Sequence, residues 1–225
     1  MGAVRAYHTV SHGAACVLAA TPPLEIDALV LAEVYHHKVE ARQRGDELAL
    51  VDIEQARTEA QREALHRWKE ALANPTAGHW TITAFRPVLE EWVGRQQGSL
   101  TFRLVQILTG HGCFGHYLHR IARREETPQC HHCGDPDDTA DHTISVCPAW
   151  QYERRELTAA LGGRSLTLQN MVEAMIDSVE AWEAVACFAE TVMSAKEAAE
   201  REREEDALAA PLRRRRTGRR RRVNL

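Results

Sequence analysis

Four residues in this 225-residue chain have the types and spacing of a metal site: Cys130-x2-Cys133-x8-His142-x4-Cys147. Two cysteines separated by two residues can turn back so that both thiolates face one ion. A histidine and a cysteine further on can approach from a short helical turn or loop on the other side. Three thiolates and one imidazole suit tetrahedral zinc with no open position, and they leave the centre at −1, so the expected role is structural rather than Lewis-acid catalysis. The intervening Gly134-Asp135-Pro136-Asp137-Asp138 reads as a turn, with its paired carboxylates expected in solvent, and Pro148 follows the last ligand. His131 and His132 are competing donors. Cys113 with His116 and His119 lacks a fourth partner and reads as a core cysteine beside surface histidines. Cys16 and Cys187 lie among apolar residues and read as packing. Six cysteines at uneven spacing do not form a disulfide framework.

The second chemical feature is Arg213, Arg214, Arg215, Arg216, Arg219, Arg220, Arg221 and Arg222. Eight guanidinium groups over ten residues would neutralise phosphates and release counterions, so the expected partner is RNA and/or DNA, bound with strong salt dependence. The same run resembles a nuclear-import patch and predicts an intracellular, nuclear protein. It also explains the net charge of −4. Residues 1–210 hold 20 basic against 32 acidic groups, near −12, and the tail supplies +8. The acidic body therefore confines expected phosphate contacts to the cluster, its neighbours Arg120, Arg123 and Arg124, and the tail.

Several functions are excluded by what is missing. No apolar run approaches the roughly 18 residues of a membrane span, so no membrane partner is expected. The chain start lacks the pattern of a secretory signal, and Ala6 stands where a myristoylation motif needs Ser or Thr. No Gly-x-Ser-x-Gly elbow, phosphate-binding Gly-x4-Gly-Lys loop or aspartate pair in an apolar strand is present, and no catalytic residue is assigned.

The elements that must hold these residues read as helices. After Pro22-Pro23, Leu24, Ala28, Leu31, Tyr35 and Val39 form one stripe ending at Gly45. A second stripe runs through Ile53, Ala56, Ala60, Ala64, Leu65, Trp68 and Leu72 to Asn74-Pro75, with its charged opposite face in solvent. Pro87 opens a short helix carrying Val88, Leu89, Trp92 and Val93 inward. Residues 99–108 fit either a strand or a helix, and the helix is preferred. Thr109-Gly110-His111-Gly112 breaks the chain before Phe114, Tyr117, Leu118 and Ile121 resume a helix. From about Thr167 one helix presents Val172, Met175, Ile176, Val179, Trp182, Val185, Phe188 and Val192. Beyond Lys196 the chain is charge and alanine, either exposed helix or linker. The fold class is mainly α, a helical body with a small Cys-Cys-His-Cys knuckle and a disordered basic tail. Its segments are 1–74, 75–160 with the knuckle at 130–147, the amphipathic helix of 161–210, and the tail of 211–225.

The middle of the chain resembles a known family. Trp80-Thr81, Pro87, Leu89, Trp92, Gly98, Phe102 and Gln106, then Leu108-Thr109-Gly110-His111-Gly112-x-Phe114-x-x-Tyr117-Leu118, the Cys/His cluster and Trp150 are similar to the region downstream of the polymerase in arthropod non-LTR retrotransposons, above all type-1 elements that insert into ribosomal RNA genes. Arg5-Ala6-Tyr7-x-Thr9-Val10-Ser11 and Leu18 to Leu24 resemble the segment that joins the polymerase thumb to that region. The resemblance implies a zinc knuckle with Cys130, Cys133, His142 and Cys147 as ligands, contacting nucleic acid within a reverse transcriptase polyprotein. The polymerase core of that polyprotein is then a further partner. Its Tyr/Phe-x-Asp-Asp strand does not occur in this chain, so binding rather than polymerisation is expected. Two rival readings are a restriction-like endonuclease segment, for which Lys196 is the one lysine after the cluster, and a helical interaction module using the 172–192 stripe.

Overall fold

The computed structural model describes residues 5–206 and 212–213. Arg214, Arg215, Arg216, Arg219, Arg220, Arg221 and Arg222, and with them most of the expected basic tail, lie outside the described residues. Among the described residues every regular element is a helix or a 3-10 turn. No helix is long and apolar enough to cross a membrane.

Ser11 starts α1 (His12–Leu18) by accepting the Ala14 N–H, and this helix buries Ala14, Val17 and Leu18. Pro23 leads into α2 (Leu24–Arg44), which carries Glu25 and Asp27 in its first turn and Arg42 and Arg44 in its last, and stops at a left-handed Gly45. The Asp52 carboxylate accepts the Ala49 N–H at 3.0 Å to open α3 (Leu50–Ala71), and the two helices pack as a hairpin. The face of α3 is the expected one, with Ala60, Ala64, Trp68 and the following Leu72 buried. The face of α2 is not. Leu24, Leu31 and Tyr35 are 82%, 72% and 64% exposed, whereas Val34 and Ala41 are buried. Apolar residues occupy more than one side of α2, and the hairpin selects the line that periodicity alone did not.

The central body begins with α4 (His79–Phe85), a 3-10 turn (Arg86–Val88) and α5 (Leu89–Gly94), followed by α6 (Phe102–Thr109), which settles the ambiguous segment as helix. Thr101 caps α6 by accepting the Leu104 N–H, and Gly110 ends it in the left-handed region. Next come α7 (Gly115–Arg120), α8 (Ala140–Ser145), a 3-10 turn (Pro148–Trp150) and α9 (Gln151–Ala160). The stripe expected as one helix from Thr167 is two, α10 (Leu168–Asp177) and α11 (Val179–Glu205). Ser178 sits between them in an extended conformation, and its hydroxyl accepts the Ala181 N–H at 3.0 Å. The break turns Val179 outward, while Met175, Val185 and Val192 stay fully buried.

Helix α11 is the spine, packing against α6, α9 and α10. The core where they meet is aromatic. Trp92 stacks on Trp182 with ring centroids 5.6 Å apart, takes Phe85 edge-on at 4.6 Å, and donates its indole N–H to the Val17 carbonyl at 2.8 Å. The last turns of α11 do not peel away as a linker, because Lys196 and Glu200 are buried on its inner side. Cys187, expected in the packing, is exposed.

Candidate metal centre

The knuckle is built from a loop and one short helix. Gly134 donates to the Cys130 carbonyl at 2.8 Å and Cys130 donates to the Asp135 carbonyl at 2.8 Å, closing a tight turn that points both thiols to one side. Gly134 holds a φ of +82°, a conformation that costs an L side chain about 1 kcal/mol or more. On the other side Thr139 caps α8 by accepting the His142 N–H at 2.9 Å, and Cys147 donates to the His142 carbonyl at 2.9 Å. Those two bonds bring the fourth donor under the first helix turn.

Cys130 Sγ lies 3.9 Å from Cys147 Sγ, Cys133 Sγ lies 3.3 Å from His142 Nε2, and all four donors lie within 4.8 Å of one another. A tetrahedron with zinc–sulfur bonds of about 2.3 Å and a zinc–nitrogen bond of about 2.0 Å has edges of about 3.8 and 3.5 Å. The donor set and its dimensions therefore fit a metal ion of that kind. Asp135 places a carboxylate oxygen 3.8 Å from His142 Nδ1, where it favours metal coordination through Nε2. Burial, with the Asp138 charge as a second cause, pushes the Cys130 thiol up to about 12, and burial also raises Cys147. Without a cation these thiols keep their protons at neutral pH, so loading the site must release them.

The knuckle is clamped to the body through a residue expected in solvent. Asp138 is buried, and both its carboxylate oxygens lie 2.8 Å from Lys196 Nζ on α11. The Gly115 N–H donates to the same carboxylate at 2.9 Å and the Thr143 hydroxyl at 3.4 Å. Gly115 has no room for a Cβ, which would run into the backbone carbonyls of Pro128 and Gln129. Lys196 is 1% exposed and lies 5.2 Å from the Phe114 ring, so the lysine that an endonuclease reading would need is spent on an internal ion pair. One signal for this was present: Lys196 continues the buried line of Val185, Phe188 and Val192, where a lysine needs a partner.

The remaining expected site residues divide. His132 packs on the Trp150 ring at 4.8 Å and, pushed down to about 4 chiefly by burial, is neutral at pH 7. His131 contacts Glu125 at 3.2 Å. Cys113 is partly buried, which drives its thiol to about 12, and His116 and His119 bond to Asp137 and to the Glu125 carbonyl rather than to a shared centre. Arg120 and Arg123 are exposed. Arg124 pairs with Glu204, and Arg213 pairs with the buried Glu125, a residue that sequence reasoning missed. The resemblance motif at Leu108 to Tyr117 is structural as well: the Tyr117 hydroxyl shares a 2.9 Å hydrogen bond with the Thr9 hydroxyl, and its ring meets Tyr7 at a 54° tilt with centroids 5.5 Å apart, which ties the N-terminal segment to α7.

Fold and site together define a helical module built around a Cys3His cluster that could hold a metal ion. Its curated relatives are R1 type-1 retrotransposon polyproteins from insects. The chain is 40% identical over 91 residues to the Retrovirus-related Pol polyprotein from type-1 retrotransposable element R1 of Popillia japonica, a match covering 40% of this chain and 35% of that protein. It is 28% identical over 198 residues to a putative 115 kDa protein in type-1 retrotransposable element R1DM of Drosophila melanogaster, covering 85% of this chain and 19% of the other. A third, the Pol polyprotein from R1 4 of Nasonia vitripennis, is 28% identical over 173 residues, 71% of this chain and 41% of that one. The chain thus spans between about a fifth and two fifths of the length of these relatives. No family model and no solved structure matches it.

Proposed function

We propose that this chain is a zinc-dependent nucleic-acid-binding part of a non-LTR retrotransposon polyprotein, acting in the nucleus beside the polymerase portion of such a polyprotein. The observation that carries the reading is the convergence of Cys130, Cys133, His142 and Cys147 within 4.8 Å in a chain whose relatives are retrotransposon polyproteins. Zinc is the ion that three thiolates and one imidazole favour at these separations. Bound there, it would fix the knuckle loop and supply no open coordination position. The chain's own groups do the recognition. Arg120 and Arg123 present guanidinium groups at the knuckle's edge, and the arginine run supplies the counterion-releasing charge.

The test is a salt-dependent titration of single-stranded RNA and DNA with the full chain, the Cys130→Ser variant and a chain lacking residues 212–222. The reading expects weakened binding for Cys130→Ser, and for the truncation a salt slope flattened by about 0.7 log units per lost phosphate contact. Binding indifferent to both changes would refute it.

A further inference from the structure

The apolar stripe of α2 is left in solvent. Leu24, Ala28, Leu31, Tyr35 and Val39 recur at intervals of four and three residues, so they run along one side of the helix for about 23 Å. Leu24, Leu31 and Tyr35 are each more than half exposed, Ala28 is exposed and Val39 is half-buried. The line that α2 buries, Val34 and Ala41, lies about 110° around the helix axis. A contiguous apolar line rimmed by charged side chains is the mark of an interaction surface.

The rim identifies what covers it. Glu25 and Asp27 stand in the first turn of α2, and Lys38 and Arg42 stand toward its end. All four are exposed, and none forms an ion pair among the described residues. The charges of the neighbouring α3 are already used, since Arg57, Arg62 and Arg67 pair with Glu54, Glu59 and Glu63. A partner of a single sign would suit one end of α2 and be repelled by the other. A helix that begins acidic and ends basic is complementary to its own reverse.

We propose that α2 is a self-association surface, on which a second copy of this chain lays its own α2 antiparallel, about a two-fold axis near Glu33. In that register Leu31 of each copy faces Tyr35 of the other, Glu25 reaches Arg42, and Asp27 reaches Lys38. Each contact occurs twice by symmetry. Parallel pairing would instead set acid on acid at one end and base on base at the other. With four acidic and three basic residues α2 is nearly neutral, so two bodies each near −12 can meet along it. One helix face supplies about half of the roughly 20–30 residues that each side of a standard interface contributes, so the dimer is a weak one, in the micromolar range.

The experiment is analytical ultracentrifugation of the full chain, freed of nucleic acid, from about 1 to about 200 μM, the range over which a small interface associates. The wild-type weight-average mass is expected to climb from the 25.3 kDa of one chain toward twice that value. Leu31→Glu and Tyr35→Glu are expected to keep the mass of one chain throughout. Asp27→Lys or Lys38→Asp alone should weaken association about ten-fold, because each turns two symmetric attractions into repulsions. The two together restore the pairing with its signs exchanged and should recover wild-type association to within about three-fold. All these side chains are exposed, so circular dichroism and the unfolding midpoint at about 1 μM, where the chain is monomeric, should not move. A wild-type chain that stays at the mass of one chain at the highest concentration overturns the proposal and leaves this face to a different protein. Association untouched by Leu31→Glu overturns it by placing the contact elsewhere, and a double charge variant weaker than either single one overturns the antiparallel register.

Discussion

Lys196 and Asp138 are 58 residues apart in sequence and form a fully buried ion pair between the knuckle and α11. With Lys196 1% and Asp138 3% exposed at the side chain, neither can recover water if its partner is removed. Lys196→Met leaves a carboxylate that still accepts from the Gly115 N–H and the Thr143 hydroxyl. The expected loss is about 3 kcal/mol, the lower end of the range for breaking a buried pair. Asp138→Leu leaves a buried ammonium without its carboxylate, 5.2 Å from the Phe114 ring, so the loss should be nearer ~5 kcal/mol. Replacing both together removes the uncompensated charge, and the double variant should lie within about 2 kcal/mol of wild type, although it orphans the Gly115 N–H. Against a total stability of about 5–15 kcal/mol, either single loss is a large fraction. Urea unfolding of zinc-saturated protein, followed by circular dichroism, measures all three. Single losses below about 1 kcal/mol, as for exposed ion pairs, or losses that add in the double variant, would refute the buried clamp.

Three further outcomes follow from the same geometry. In zinc-loaded protein the exposed Cys187 should react first with a thiol reagent, while Cys113, held near 12 by burial, stays slow; chelation should add the half-buried Cys133, with the buried Cys130 and Cys147 following only as the emptied knuckle opens, counted by absorbance. Gly115→Ala should destabilise the knuckle by about 2–4 kcal/mol, since its new Cβ meets backbone carbonyls that cannot rotate away, and urea midpoints would show it. Burial, then the neighbouring Cys113, raises Tyr7 from 10.0 to about 12, so the unfolded chain loses this proton first as pH rises. The stabilisation is complete below pH 10 and lost between there and about 12, and Tyr7→Phe should flatten that fall in a pH series of melting temperatures.

The convergence of the Cys/His cluster was legible because its spacing is local: two residues between cysteines and a cap before His142 are enough to shape both halves of the knuckle. The helices of the central body were legible for the same reason, through Thr101, Gly110 and the buried line of α6. What escaped depended on distant partners. Asp138 looks like a turn carboxylate until Lys196 arrives, and Glu125 looks like surface charge until Arg203 and Arg213 surround it. On α2 two apolar lines competed, and packing against α3 chose Val34 and Ala41 over Leu31 and Tyr35. The break at Ser178 was hidden because apolar spacing runs on across it, although a serine three residues before Ala181 is an N-cap signal.

In the function proposed above, the Cys130, Cys133, His142 and Cys147 centre organises a nucleic-acid-binding surface. Its most direct test is the anisotropy of a labelled single-stranded oligonucleotide titrated with the full chain, first zinc-loaded, then chelated, then with zinc restored. Chelation is expected to weaken binding by about ten-fold or more, and restored zinc to recover it. Identical titration curves in all three states would contradict it.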